Sequence, residues 1–378
     1  MRKLVYKMTA RVGALLMMTL SLFLYSACGS DELPEPDPVV EEGKAGLQIS
    51  IAKDNITRAS GSAIPSDEGT IKRVTMGVFF QDGTVNLISE PEYADGKATV
   101  NCSPGECDVV VVVNAPSGLF GGVTTKSAFL EKLVSLSDFA ANNVQQSNNL
   151  PMSGETSVKL TVGVLSKPTV TVSRLVARIS INSLKTAFDP NGQFKNAQFK
   201  LNKVFAYNVI ANSKVAVGGW SATMPSNPVW LNGGTVNDGN FVRGTAYLLD
   251  EISPAVTIPG TGYSAKHWFY VFPNNDIDTP TKIVLSGLFD PDGAGPLPEV
   301  ATYFPIVMNK AQAGTSITGG GQDGGTGTIM RNSEYKLSVT LKSKGVSSPD
   351  EILIPTTIDL IVDIADWEMS VSQEIVVE

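Results

Sequence analysis

Arg58 and Ala59 form a peptide bond of the kind that a trypsin-like protease hydrolyses, inside the polar segment "DNITRASGS". Such an enzyme selects the arginine side chain, and segments of small and polar residues are the usual places at which folded proteins are nicked. A lone arginine in a polar segment is most often only a solvated residue. The neighbouring sequence therefore decides whether this bond is a cleavage site.

An alternating apolar segment lies directly before this bond. In "AGLQISIA", Leu47, Ile49 and Ile51 fall on one face of a predicted strand, while polar and small residues fall on the other. Cleavage after Arg58 would separate this strand from the rest of the chain. We therefore predict a removable strand over residues 46–52, with its release point at Arg58.

Cys28 is a candidate for lipid attachment. It ends the apolar run "VGALLMMTLSLFLYSAC", which follows four basic residues and has the length of a secretory signal. The end of this run resembles the lipobox of bacterial lipoproteins, in which the cysteine is lipidated and becomes the new N-terminus. An ordinary signal peptide with an incidental cysteine is the alternative. We predict a signal peptide over residues 1–28, and an acidic, Pro-rich tether that fills residues 29–58 together with the removable strand.

Cys102 and Cys107 flank a predicted tight turn between the strands "KATVNC" and "CDVVVVVN". Facing positions across such a hairpin bring two cysteines within reach of a disulfide, although so short a loop strains the bond. Two cysteines and one histidine are too few ligands for a closed metal site. We expect a disulfide between these cysteines as one outcome, and no metal.

The sequence offers little else for catalysis. His267 is the sole histidine, and its neighbours alternate as in a strand, so we expect a structural or surface role. The chain contains no phosphate-binding loop, nucleophile elbow or zinc-protease motif. Asp290 and Asp292 lie in "DPDGAG", which lacks the later ligands of a calcium loop and reads as a solvated turn. We predict no enzymatic activity and no cofactor.

Composition indicates an all-β protein of more than one domain. The chain has 378 residues, of which 42% are hydrophobic and only 17% charged, with 35 glycines and 22 prolines. Short runs of valine, isoleucine and threonine between turn residues are typical of many short strands. A net charge of −8 argues against binding to nucleic acid, which requires a basic surface.

The order of these runs predicts two tandem β-sandwich-like domains. The first covers residues 59–185 and the second residues 186–378, with the boundary near residue 185. One helical excursion is expected at about residues 124–144, where Thr125 or Ser127 would cap a helix whose apolar face includes Phe129 and Leu133.

The end of the sequence alternates over an unusual length. In "DWEMSVSQEIVVE", five apolar side chains share one face, and the preceding residues "IDLIVDIA" alternate as well. A terminal strand of this kind needs a groove in which to lie, so we predict donor strands at about residues 356–378. The five predicted donor side chains are Trp367, Met369, Val371, Ile375 and Val377.

Several segments, taken in chain order, resemble the fimbrillins, the type V pilins of the Bacteroidales. They are the region ending at Cys28 and the segments "NITRASG", "CSPGECDVVVVVNAP", "RLVARISI", "FYVFPNN", "RNSEYKLSVTL" and "DIADWEM". The resemblance implies a transthyretin-like topology and export to the outer membrane as a lipoprotein. It also implies cleavage after Arg58 by an Arg-specific protease, which removes the N-terminal strand. A neighbour's C-terminal strand then occupies the first domain, and the subunits polymerise into an adhesive surface fimbria.

Two other functions remain open on the sequence. One is a tip or anchor subunit of the same fimbria. The other is a surface lipoprotein that binds glycans through Trp220, Trp230 and Trp268, although aromatic residues in β domains are more often part of the core. The expected partners are other fimbrial subunits, an Arg-specific protease, the membrane lipid anchor and an unidentified host or bacterial surface ligand.

Overall fold

The structure, a computed structural model, describes residues 37–53, 67–218, 223–264, 266–311, 314–320, 324–353 and 357–367. The chain divides into two compact units, Met1–Val39 and Val40–Glu378, and the elements given below all lie in the second unit. No helix in the described ranges is long and apolar enough to cross a membrane.

The strands of the first half form the following series: β1 Ala45–Lys53, β2 Val74–Phe80, β3 Val85–Ser89, β4 Tyr93–Ala94, β5 Lys97–Cys102, β6 Gly105–Val113, β7 Leu133–Ser135, β8 Ala140–Ala141, β9 Val144–Gln145, β10 Met152–Leu160, β11 Leu165–Ser166, β12 Thr169–Arg174 and β13 Ala177–Thr186. Among the described residues, the helical elements are the α-helix α1 Lys126–Leu130 and 3₁₀ turns at Leu136–Phe139, Ser147–Asn149 and Ala246–Leu248.

The strands of the second half continue the series: β14 Gln198–Tyr207, β15 Val209–Ile210, β16 Asn212–Lys214, β17 Trp230–Leu231, β18 Gly234–Asn237, β19 Asn240–Arg243, β20 Leu249–Thr257, β21 His267–Val271, β22 Lys282–Asp290, β23 Val300–Val307, β24 Thr315–Gly319, β25 Ser333–Leu341 and β26 Ile358–Asp366. The predicted all-β fold class is confirmed.

One nine-stranded sheet organises the first half. Its order is β3-β2-β6-β10-β12-β1-β5-β4, with β11 paired to β1 beside β12. Side chains from β1, β5 and β12 join those from β2, β6 and β10 in one buried cluster. The sheet therefore encloses a core between its two parts, as in a sandwich.

Strand β6 lies at the centre of this arrangement. Its residues Val109 to Val113 are all fully buried. Val110 and Val112 belong to a second hydrophobic cluster, while Val109, Val111 and Val113 belong to the core of the first sheet. A continuous apolar run such as "VVVVV" is typical of a strand that is buried on both faces.

Two larger sheets form most of the second half, beside small two-stranded sheets such as β15-β17 and β18-β19. The orders of the two larger sheets are β21-β13-β25-β26-β24 and β20-β14-β22-β23. A large cluster fills the space between them and includes Phe199, Tyr335 and Ile364, together with Phe79 and Phe129 of the first half. A single core therefore joins the two halves.

The predicted helix at residues 124–144 is wrong except for its start. Thr125 caps α1 by accepting a hydrogen bond from the Ala128 amide at 3.2 Å, and Phe129 is buried as expected. The helix ends at Leu130, because Leu133 to Ser135 pair with β16 instead. A 3₁₀ turn with a Ser135–Asp138 capping box follows. The helical spacing of apolar residues was real, but pairing with a distant strand overrides local preference.

Strand pairing changes partners before the predicted boundary at residue 185. β12 pairs with β1 and β10 of the first sheet, whereas β13 pairs only with β21 and β25 among the described residues. The change falls at Leu175 and Val176. The domain limits 59–185 and 186–378 stay a prediction. They assign β13 to the first domain, although its pairing partners β21 and β25 belong to the second half.

Candidate functional site

Strand β1 is inserted between two strands of the first sheet. On one edge it runs antiparallel to β5, from Ala45 opposite Cys102 to Ser50 opposite Lys97. On the other edge it runs parallel to β11 and β12, ending with Lys53 opposite Val172. β1 is therefore an interior strand of the sheet, although it lies near the start of the described chain.

The apolar face of β1 enters the first core. Leu47 and Ile49 are fully buried and Ile51 is half-buried. On the opposite face, Gln48 donates a hydrogen bond to the Thr99 hydroxyl of β5 at 3.2 Å. The alternation predicted from the sequence is thus the alternation that the strand has in the structure, and removal of β1 would open a cleft lined by the same core.

Cys28, Arg58 and Ala59 lie outside the described residues, as do Met369, Val371, Ile375 and Val377. The roles predicted for them therefore stay predictions. Lys53 is the last described residue before the segment that contains Arg58, and Asp67 is the first described residue after it.

The predicted hairpin at Cys102 and Cys107 is wrong. β5 pairs with β1 and β4, whereas β6 pairs with β2 and β10, so the turn between them passes from one part of the sheet to the other. Both cysteines are buried free thiols and form no disulfide. Burial raises the pKa of the Cys102 thiol to about 11 and also raises the pKa of Cys107.

Trp367 lies in the core of its own chain. Its indole ring stacks on Tyr270 with 5.5 Å between the ring centroids, and its N–H donates to the Glu68 carboxylate at 3.0 Å. The guanidinium of Arg174 lies 4.2 Å from the ring centroid. The prediction that Trp367 is a donor side chain is therefore wrong, because its apolar face is already occupied.

The predicted donor region at residues 356–378 is corrected in the same way. β26 lies between β25 and β24, and Ile358, Leu360, Val362 and Ile364 are buried in the second core. The alternation of "IDLIVDIA" reflects this internal strand. Only residues after Trp367 are left for a donor strand.

The buried ionic cluster around Glu68 was not predicted from the sequence. The Glu68 carboxylate pairs with Arg178 and accepts a hydrogen bond from the Tyr270 hydroxyl at 2.6 Å. Arg178 also pairs with Glu334 at 2.7 Å. Burial lowers the pKa of Arg174 to about 10, which leaves it charged at neutral pH. The available sequence signal for this cluster was the presence of Arg174 and Arg178 in the apolar segment "RLVARISI", since a buried charge needs a partner.

The other candidates from the sequence have structural surroundings. His267 contacts the Asp250 carboxylate at 3.0 Å. Trp230 and Trp268 are half-buried against the large core, and Trp220 lies outside the described residues. The Asp290 carboxylate accepts hydrogen bonds from the amides of Asp292 and Gly293, as expected of a turn. No cluster of three metal-ligating side chains occurs in the described part of the chain.

Comparisons with known proteins agree with this architecture. Residues 45–187 match the family model of the major fimbrial subunit protein FimA. The major fimbrium subunit FimA type-5 of Porphyromonas gingivalis is 22% identical, over 88% of this chain and 91% of that protein.

Solved structures share the fold. A fimbrilin from Porphyromonas gingivalis has a TM-score of 0.65 at 19% identity, and the match covers 88% of this chain and 99% of that one. A candidate cell adhesion protein from Bacteroides eggerthii has a TM-score of 0.64 at 21% identity, with coverage of 87% and 98%. With the matched family model and the full-length relative, these findings confirm the predicted resemblance to the fimbrillins of the Bacteroidales.

Proposed function

We propose that this chain is a stalk subunit of a cell-surface fimbria that polymerises by strand exchange. It would be exported as an outer-membrane lipoprotein through Cys28 and cut after Arg58 by an Arg-specific protease. The tail of a neighbouring subunit would then replace β1. The position of β1 between β5 and β12 is the observation that carries this proposal.

An interior strand suits an exchange mechanism because its loss exposes two strand edges at once. The ladder groups of β5 and β12 that now bond to β1 would be left without partners. An extended segment from another molecule can restore both ladders and fill the apolar cleft, which is β-augmentation. Because the donor tail and the acceptor cleft are different surfaces of one chain, the contact does not close on itself and a filament results.

The energetics make cleavage a reasonable trigger. Burial of Leu47 and Ile49 stabilises β1 in the uncut chain by about 3–6 kcal/mol, at ~1.5–3 kcal/mol for each side chain. Covalent attachment adds a high effective concentration, so a separate tail competes poorly with β1 before cleavage. Cutting at Arg58 removes this advantage, and β1 becomes a dissociable peptide.

The proposed donor is the tail after Trp367. Met369, Val371, Ile375 and Val377 alternate with mostly polar residues in the sequence. Trp367 remains in its own subunit, since its ring and its N–H already have partners there. Residues 59 to about 175 would form the acceptor domain, and the later sheets would support the tail.

Electron microscopy and size-exclusion chromatography before and after Arg-specific proteolysis test this proposal. We expect a first cut after Arg58 followed by filaments. An Arg58→Gln variant should stay monomeric, and a chain that lacks residues 368–378 should be cut but should not grow. Cleavage elsewhere, growth of Arg58→Gln, or polymerisation of the shortened chain would refute strand exchange as described.

A further inference from the structure

We infer that the buried cluster around Glu68 holds the base of the C-terminal tail in its own subunit, so that tension on the tail is resisted there. Glu68 and Trp367 are the positioning residues in this role. The inference rests on the proposed function only in taking the tail as the segment that a neighbour holds.

The cluster joins three distant parts of the chain. Glu68 follows the segment that contains Arg58, while Arg174 and Arg178 lie on either side of the change from the first sheet to the second. Trp367 directly follows β26 and directly precedes the predicted donor residues. One site therefore fixes the end of the last described strand to the segment that becomes the N-terminal part of the cleaved chain.

Trp367 is held on several sides by different interactions. Its carbonyl oxygen accepts a hydrogen bond from the Arg174 guanidinium at 2.9 Å, and its amide donates to the Asn332 carbonyl at 2.9 Å. The ring lies between Tyr270 and the two guanidinium groups, with Arg178 4.9 Å from the centroid. Main chain and side chain are thus both fixed, which an ordinary strand end does not need.

The charges of the cluster serve placement more than stability. Glu68, Arg174 and Arg178 are all buried, with 7%, 1% and 5% of their surface exposed. A buried ion pair gains little over well-packed apolar residues, but loss of the Glu68 charge would leave two buried guanidinium groups with Glu334 as the remaining carboxylate partner in the cluster. The cluster is therefore stable in one arrangement, in which the Trp367 N–H donates to Glu68 and the indole ring contacts both guanidinium groups.

The cluster also lies where peeling of β26 would start. Asp366 pairs with Ser333 at this end of the strand, and β26 pairs with β25 along its whole length. A force applied to residues after Trp367 acts first on the pair Ser333–Asp366. Ladder hydrogen bonds that break one after another offer little resistance to such a force. Placement of the strongest contacts at that end prevents the strand from opening.

Single-molecule pulling on the uncut monomer tests the inference without any polymerisation. One handle is attached at Glu378 and the other to a peptide tag inserted in the exposed turn at residues 189–192. In the wild type, β26 should detach only when the two larger sheets of the second half unfold together. In Glu68→Gln and Trp367→Phe, an earlier step should release residues 357–367, which adds on the order of 40 Å of contour length.

We expect the rate of this step at a fixed force to rise about 100-fold in Glu68→Gln and less in Trp367→Phe, which keeps a smaller aromatic ring but loses the N–H. Lys126→Met is the matched control, because Lys126 pairs with Asp108 and Glu155 away from the tail. The Lys126→Met variant should show no early release of residues 357–367. An early step in the wild type, or none in either variant, overturns the inference.

Hydrogen exchange of the wild type gives a second measurement if the variants fail to fold. The amides of β26 should exchange as slowly as those of β25, and faster exchange in β26 would overturn the inference. Filament formation is scored separately. Failure of strand exchange with a normal pulling result would therefore refute the proposed function alone.

Discussion

Loss of β1 should activate the thiol of Cys102. Cys102 is opposite Ala45 in the ladder between β1 and β5, and its sulfur lies 3.8 Å from the Ala45 carbonyl oxygen. Only 3% of the residue is exposed. Burial is the main reason that the pKa of this thiol is raised to about 11. Since β1 supplies one wall of that burial, its departure should admit water to Cys102.

The size of the effect follows from the pKa. At pH 8, a thiol with a pKa of about 11 is about 0.1% thiolate, whereas one at the ordinary value of 9.0 is about 10% thiolate. Because the thiolate is the reacting form, this change alone raises the reaction rate about 100-fold. Access for the reagent adds to it, so about 100-fold is the lower expected limit.

The assay is maleimide labelling at pH 8, followed by mass spectrometry, before and after Arg-specific cleavage. A chain with Cys28→Ser and Cys107→Ser reports Cys102 alone, and removal of residues 368–378 keeps the cleft empty after the cut. The same chain with Arg58→Gln is the control and should label at the slow rate throughout.

Two results would refute the reasoning. Equal labelling rates before and after a complete cut at Arg58 would mean that β1 stays bound or that Cys102 is reached without it. With the tail intact, labelling should rise and then fall as neighbours fill the cleft. Persistent fast labelling inside assembled filaments would show that the tail does not occupy the position of β1.

Three further predictions concern stability and are checked by urea unfolding of the uncut chain. Leu47→Ala should lower the free energy of unfolding by ~2–5 kcal/mol because it leaves a cavity, while Val162→Ala, at a side chain that is 54% exposed, should change it by less than ~0.5 kcal/mol. Gly154→Ala should cost about 1–3 kcal/mol or more, since its new methyl group would lie 2.0 Å from the Thr171 carbonyl oxygen. Arg331→Met should cost about 2–4 kcal/mol, because four part-buried acceptors lose the hydrogen bonds that the Arg331 guanidinium donates. An unfolding midpoint equal to that of the wild type in Leu47→Ala, Gly154→Ala or Arg331→Met would contradict the packing described at that residue.

The elements that were predicted correctly from the sequence are those whose local structure depends on their own residues. Alternation identified β1, because side-chain direction in a strand has a period of two, and β6 forms within the segment "CDVVVVVN" that was predicted as a strand. Turn residues act locally in the same way, since Gly83 in the turn between β2 and β3 has a positive φ of 81°, which glycine adopts readily.

Features that depend on distant partners were missed. The turn at Ser103 and Pro104 looks like a hairpin in the sequence, but the choice between pairing with β6 and pairing with β1 depends on residues fifty positions away. The helix that was predicted beyond Leu130 does not form, because Leu133–Ser135 pair with the distant strand β16. Trp367 was assigned to a donor face because alternation gives the period of a strand without stating which molecule the strand packs against.

The interior position of β1 limits how an exchange can proceed. If β1 left early, the edges of β5 and β12 would be open in a free monomer, and unpaired edges of this kind pair with any available strand. Removal and replacement must therefore follow closely on each other. A cleaved β1 that dissociates slowly satisfies this requirement, because its ladder bonds and the burial of Leu47 and Ile49 hold it for a time after the covalent link is cut. The donor tail would then enter against a strand that is still partly in place, and the rate of assembly should fall when added β1 peptide competes for the cleft.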